Sequence, residues 1–218
     1  MAQKITIAQI CPRLNSGGIE RGTVDVAIAV KKAGFRSIVI SGGGQLSQEI
    51  AASGVEHFEL PLYLKSPLAI RRNAKQLRDI IHDWNINLVH ARSRAPIWAA
   101  HHALKGSDAD FVTSCHSPHG LGPLGLKKYY NRSITFGKRI IAISEYIADY
   151  LQQNYRVASD KIDVIYRGID CTQFNPDTID QAQIIALKNQ LHIPPDKTVI
   201  LLPGRITRWK GQDVFIKA

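Results

Sequence analysis

The residues best suited to chemistry open the chain. In Ile5 to Gly22, ITIAQICPRLNSGGIERG, an apolar run leads through a loop into Gly17-Gly18 and then into helix-spaced residues. Paired glycines let backbone N–H groups approach a ligand closely, and a helix start favours an anion. The place suits a phosphate or a carboxylate. A tight turn that only packs helix on strand suits it equally, because the loop matches neither the P-loop nor the GxGxxG spacing.

A second feature is charge. The formal net charge is +10, and Lys65 to Arg139 holds 13 Lys/Arg against 4 Asp, so that one middle third carries +9 of it. Nucleic acid, an anionic membrane surface or a phosphorylated substrate would each suit that excess, as would a solvated basic face with no partner. Within it, Lys127, Lys128, Tyr129, Tyr130 and Arg132 combine cations with aromatics. The three cysteines, Cys11, Cys115 and Cys171, are far apart and lack CxxC spacing, so no disulfide framework or zinc site is indicated. No apolar run reaches transmembrane length and the amino terminus has no signal-peptide core, so a soluble, cytoplasmic protein is expected.

Strand and helix signals alternate around these residues. Strands are expected at Ile5–Ile10, Ser37–Ser41, Glu56–Leu60, Asn87–Ala91, Phe111–Cys115, Arg139–Ile143 and Lys161–Tyr166. Helices are expected at Ile19–Ala33, Gln45–Ser53, Pro67–Trp84, Pro96–Leu104, Gly125–Phe136 and Glu145–Gln153, with Ser144 capping the last. No hairpin signal interrupts the series. The fold class is therefore α/β, a doubly wound, Rossmann-like parallel sheet. In such sheets ligands bind beyond the carboxyl ends of the strands. That edge holds Gly17-Gly18, Gly42 to Gly44, Arg92 to Arg94, His116 to Gly120, Ser144-Glu145 and Arg167-Gly168.

The texture changes after Asp170. A loop, a polar helix over Ile179–Leu191 and a break at Pro194 precede a new strand at Thr198–Leu202, then Pro203-Gly204-Arg205 and a helix from Gly211. One strand–helix unit cannot bury a core of its own. A truncated second domain is expected, with boundaries at residues 1–170, 171–196 and 197–218.

Three stretches carry a family resemblance: NSGGIERGTVDVA, ISEY followed by DVIYRGIDCTQFNP, and LLPGRITRWKGQDVFIKA. Together they resemble a family 4 glycosyltransferase of the GT-B type, which has two Rossmann-like domains facing across a cleft. HARSRAPIW and TSCHSPHG resemble a bacterial subset, some of it tied to lipopolysaccharide or other surface polysaccharides. The resemblance implies transfer of a sugar from a nucleotide-diphosphate donor with retention, and no obligatory metal or other cofactor. It also implies an acceptor-binding first domain and a donor-binding second one.

By that resemblance, Gly17 and Gly18 face the donor phosphates, with Glu20 and Arg21 at acceptor contacts beside them. Glu20 equally suits plain stabilisation of a helix start. Arg205 and Lys210 resemble the basic pair on the diphosphate, where fixed cations stabilise the charge that grows on the leaving group. His116 stands where the family often has a histidine near the transferred sugar, suited to bonding a hydroxyl or stabilising developing charge. His119 is its acceptor-side neighbour. Arg92 and Arg94 suit a phosphorylated or acidic acceptor. Arg167 replaces the commoner asparagine of an Asn-Gly-Val-Asp motif, which leaves a donor role for it in doubt. Lys127, Lys128, Tyr129, Tyr130 and Arg132 suit docking on an anionic membrane to reach a lipid-linked or saccharide acceptor, or else an ordinary amphipathic helix. The family's acidic donor motif is not in this sequence, so very weak or no transferase activity is expected of the 218 residues alone.

Other readings are a nucleotide-sugar epimerase of the same fold and a non-catalytic acceptor- or membrane-binding module. A nucleic-acid binder is supported by charge alone, with no RNP, KH or helix-turn-helix signature. A dinucleotide oxidoreductase is disfavoured, because the first turn lacks GxGxxG and no acidic residue ends the second strand.

Overall fold

The seven runs expected as strands form seven parallel strands: β1 (Thr6–Ile10), β2 (Arg36–Ser41), β3 (Glu56–Glu59), β4 (Leu88–Arg92), β5 (Asp110–Cys115), β6 (Arg139–Ala142) and β7 (Ile162–Val164). The computed structural model describes residues 5–120, 122, 126–194 and 196–218. The chain divides into two units, Met1–Arg167 and Gly168–Ala218.

All strands lie in the first unit, in the order β3-β2-β1-β4-β5-β6-β7. The chain winds one way from β1 and then returns past it, so the topological switch point falls between β1 and β4. The helices are α1 (Gly18–Lys32), α2 (Ser47–Ala52), α3 (Pro67–Asp83), α4 (Arg94–Ala103), α5 (Leu126–Asn131) and α6 (Glu145–Tyr155). Val24 and Ala27 of α1 and Ile50 of α2 close one face of the sheet over Cys11 and Val39. Leu77 of α3, Ile97 of α4 and Leu151 of α6 belong to the larger core on the other face, with Ile10, Ile38, Ala91 and Ile140. Each fully buried isoleucine or leucine there contributes at most about 1.5–3 kcal/mol.

Local signals place the helix starts. Ser66 Oγ accepts from the Ala69 N–H and Ser144 Oγ from the Ile147 N–H, and Pro67 fills the first position of α3. Helix α4 begins at Arg94, two residues before the expected Pro96. A proline costs nothing in a first turn whose N–H groups have no partner within the helix. Expected helix Gly125–Phe136 is α5 followed by a 3₁₀ turn at Arg132–Thr135, and Gly125 lies outside the described residues. Strand β7 is shorter than expected, since at the sheet edge Ile165 and Tyr166 are exposed.

The second unit holds α7 (Gln181–Gln190), capped by Asp180, and α8 (Gln212–Lys217). Thr198–Leu202, expected as a strand, forms none, and Ile200 and Leu201 are each 76% exposed. A strand needs a neighbour for its N–H and C=O groups, and the unit's described residues supply none.

Register then sets what faces the switch point. Gln9 stands opposite His90, and Arg92 opposite Ser114. Side chains alternate along a strand, so Gln9, His90, Arg92 and Ser114 share the α1 face, and the same parity continues to His116. The intervening Ile10, Val89 and Ala91 pack into the larger core.

Candidate functional site

The carboxyl ends of β1, β4 and β5 open into a cavity of about 350 Å³, within the range of small-molecule sites. Pro12, Tyr63, Lys65, Ser93, Arg94, Ser114, His116, Ser117, His119 and Tyr130 line it. No carboxylate is among its described lining residues, while Lys65 and Arg94 bring positive charge.

The turn from β4 to α4 is a single residue, Ser93, held at φ 69° and ψ 149°. That conformation is nearly restricted to glycine, and its use by serine at a cavity wall marks strain held in place by the surrounding fold. The Ser93 hydroxyl makes no capping bond to α4. Arg94 follows as the first helical residue. Its Nη1 donates to Asn131 Oδ1 at 2.7 Å, and its guanidinium lies 5.3 Å from the Tyr130 ring. Across the cavity the Arg13 guanidinium stacks 3.6 Å over Tyr63.

His116 extends β5 into this space. Both of its ring nitrogens are buried and have no hydrogen-bond partner. Burial, helped by the charges of Arg92 and Arg167, pushes its pKa down to about 3. The imidazole is therefore neutral at physiological pH, and it can bond a ligand hydroxyl from one nitrogen and accept at the other. His119 is held by Tyr150, whose hydroxyl accepts from the His119 N–H and donates to its carbonyl, each at 3.0 Å. Burial and then Arg94 bring its pKa to about 4.

Beneath the cavity lies a buried polar row. His90 Nε2 and Ser114 Oγ share a hydrogen bond of 2.5 Å, and burial holds the His90 ring neutral. Arg92 is only 3% exposed, and its Nη1 donates to Gln9 Oε1 at 2.6 Å. Burial brings even this guanidinium down to about 10.

The glycine turn caps α1, with Gly17 as the capping residue. The Glu20 carboxylate folds back over the Gly17 Cα, in contact with the place a Cβ would take. The Arg167 guanidinium lies against Gly18 and Gly22, and a Cβ on Gly22 would come within 2.5 Å of its Nη2.

The structure thus brings Arg94, His116 and His119 together, places Arg92 below them, and sets Gly17 and Gly18 at the switch point. Three of the expected site residues make other contacts in the fold. Arg21, expected at the acceptor, instead pairs with Asp25 at 2.7 Å and with both carboxylate oxygens of Glu49, tying α1 to α2. Arg92, expected as a ligand-facing partner of Arg94, is buried under the site, because the pleat turns it with His90 to the α1 face. Tyr130, expected at a membrane, turns inward to the cavity and its hydroxyl is buried. Lys127, Lys128, Tyr129 and Arg132 remain exposed. Arg205 and Lys210 belong to the second unit, where the Arg205 carbonyl accepts from Gln212 Nε2 at 2.9 Å and Lys210 ends a 3₁₀ turn. Tyr63, Lys65 and Ser117 are site residues that motif reading misses. The rule of strand ends, applied to β3, points to the first two.

Among the described residues no helix is long and apolar enough to cross a membrane, and no cluster of His, Cys, Asp or Glu could hold a metal ion.

Comparison with known proteins places the chain in a family. Residues 16–173 match the model of Glycosyltransferase Family 4. A glycosyltransferase structure from Rickettsia africae ESF-5 is 38% identical with a TM-score of 0.84, over 98% of this chain and 56% of that one. HepE of Anabaena, solved with UDP-glucose, superposes with a TM-score of 0.78 at 18% identity, over 98% of this chain and 56% of its own, a likeness of fold alone. A D-inositol 3-phosphate glycosyltransferase of Catenulispora acidiphila is 32% identical over 85 residues, 39% of this chain and 19% of its own. The chain therefore spans little more than half the length of the solved relatives it matches.

Proposed function

This chain belongs to Glycosyltransferase Family 4, and from that premise we propose that it forms the acceptor-side half, with the beginning of the donor side, of an enzyme that moves a sugar from a nucleotide-diphosphate donor. The observation that carries the reading is the carboxyl-edge cavity of a Family 4 sheet, lined by an unpartnered neutral histidine and two cations. The donor is a UDP-sugar by likeness to HepE, which was solved with UDP-glucose.

In this reading Gly17 and Gly18 approach the donor phosphates, and Arg205 and Lys210 neutralise the leaving diphosphate as the glycosidic bond breaks. His116, neutral and desolvated, bonds a hydroxyl of the transferred sugar and fixes its orientation. Lys65, Arg94 and His119 face the acceptor. A cavity with cations and no carboxylate favours an acceptor that bears a phosphate or another acid, such as the phosphorylated head of a bacterial glycolipid or lipopolysaccharide precursor. The name of the Catenulispora relative supports a phosphorylated acceptor. Lys127, Lys128, Tyr129 and Arg132 would bring that acceptor in from an anionic membrane surface. Turnover is expected to be very weak or absent in the 218 residues alone.

Calorimetric titration with UDP-, GDP- and ADP-linked sugars tests the reading. A heat of binding for one base, lost in Arg205→Ala, supports it. Binding of none of the three, or ready turnover by this chain, contradicts it.

A further inference from the structure

Two of the residues that line the carboxyl-edge cavity carry buried polar atoms with no hydrogen-bond partner among the described residues. One is His116, and the other is Tyr130, through its hydroxyl. A buried hydroxyl without a partner is destabilising, and folded proteins leave few of them. Tyr129, one residue away, is 70% exposed. Tyr130 turns the same kind of side chain inward and gains no hydrogen bond by it.

The frame around Tyr130 is fixed. Its carbonyl accepts from Trp98 Nε1 at 3.0 Å and from Ser133 Oγ at 3.2 Å. Asn131 is fully buried; its Oδ1 accepts from Arg94 Nη1 at 2.7 Å and its Nδ2 donates to the Gly120 carbonyl at 3.1 Å. The Arg94 guanidinium lies 5.3 Å from the Tyr130 ring. Two consecutive residues of α5 therefore hold a phenol and a guanidinium side by side on the cavity wall. The phenol is neutral, because burial raises its pKa and outweighs the lowering by Arg94. A neutral phenol both donates and accepts, as a ligand hydroxyl does. The guanidinium matches an acid. Ser93 adds to this wall a second hydroxyl that makes no capping bond to α4.

We propose that Tyr130 determines acceptor specificity: its hydroxyl bonds a hydroxyl of the acceptor that lies within a few bonds of the acid held by Arg94. The acceptor class is then a sugar or polyol phosphate, and a phosphate on a plain hydrocarbon binds more weakly. This rests on reading the cavity as an acceptor site, and it assigns the residue that tells a hydroxylated ring from a bare one. A site built to bond a hydroxyl discriminates against the analogue without it, because the protein group is again left unpaired.

The test is calorimetric titration of the whole chain with glucose 1-phosphate and with cyclohexyl phosphate. Both put a six-membered ring on a phosphate, and the second has no hydroxyl on the ring. Tyr130→Phe keeps the aromatic ring and removes only the hydroxyl. Wild type is expected to prefer glucose 1-phosphate. Tyr130→Phe is expected to bind it about tenfold more weakly, and to bind cyclohexyl phosphate within about twofold of wild type. Arg94→Gln is expected to lose both ligands. Without ligand, Tyr130→Phe is expected to melt at or above the wild-type temperature, since no internal bond is lost. A lowered melting temperature overturns the proposal whatever the ligands do, because the hydroxyl then has a structural partner. An equal effect of Tyr130→Phe on the two ligands, or no effect, also overturns it, and loss of both in Arg94→Gln would leave the acceptor reading standing. Binding that survives Arg94→Gln, or failure of both ligands at millimolar concentration, overturns the acceptor reading and the proposal together.

Discussion

The two edges of the sheet carry cavities of similar size and opposite character. The carboxyl edge has one of about 350 Å³, and the amino edge one of about 410 Å³ beside Leu104, Phe111 and Phe136. At the amino edge Lys138 pairs with Asp110 at 2.8 Å, its backbone N–H is bonded to the Phe111 carbonyl, and Lys105 and Lys161 stand in solvent. The carboxyl edge differs. Ser93 is strained, His116 has no partner, and Arg92 is buried without a counter-ion. Volume therefore does not tell the two apart. What marks the carboxyl edge is polar chemistry left unsatisfied by the fold, which is destabilising unless a ligand completes it.

Substitutions can break that contrast, starting with the largest effect. Ile10→Ala, in the core below the carboxyl edge, is expected to cost about 2–5 kcal/mol in denaturant unfolding. It sets the scale of a purely structural loss. Ser93→Gly is expected to act the other way, raising stability by about 1–3 kcal/mol because glycine adopts this backbone freely. A destabilised Ser93→Gly would mean that the turn holds no strain. At the amino edge, Lys138→Ala should change stability by less than about 1 kcal/mol, since an exposed ion pair is worth little. A cost well above that would place the load at the wrong edge.

Acid sharpens the comparison. The pKa of His116 is lowered from 6.5 to about 3 in the folded chain, so between those values the unfolded chain binds the proton and the folded chain does not. Stability from this group is complete above about pH 6.5 and is lost as the pH falls toward 3. His119, lowered to about 4, and His90, also lowered, act in the same direction. His116→Gln should flatten the fall in melting temperature across that window, and an unchanged slope would show that His116 titrates normally.

Much of this was legible in the sequence. The alternation of strand and helix signals with glycine breaks locates all seven strands, even though β3 reads EHFE and one face of β1, β4 and β5 is polar. Gly17-Gly18, Arg94, His116 and His119 follow from the rule that ligands gather at strand ends. The rest depends on register and partners, which no local signal carries. Arg92 reads as an exposed arginine until pairing with β1 and β5 places it opposite Ser114 and on the Gln9 face. Arg21 reads as a ligand contact until α2 presents Glu49 to it. Tyr130 and Tyr129 are neighbours of the same type, yet one faces the cavity and the other solvent. Thr198–Leu202 has the composition of β1 and forms no strand, because β1 lies between two neighbours and the segment has none. Composition proposes a strand, and pairing decides it.

The central claim is that the carboxyl edge of the first unit is where ligands are recognised. Amide resonance mapping of the chain during addition of UDP-glucose tests it most directly. The account predicts that the shifts include Gly17, Gly18, Ser93, Arg94 and Ser117. Shifts confined to Asp110, Gly137 and Lys138 at the amino edge, or none at the carboxyl edge, would contradict it.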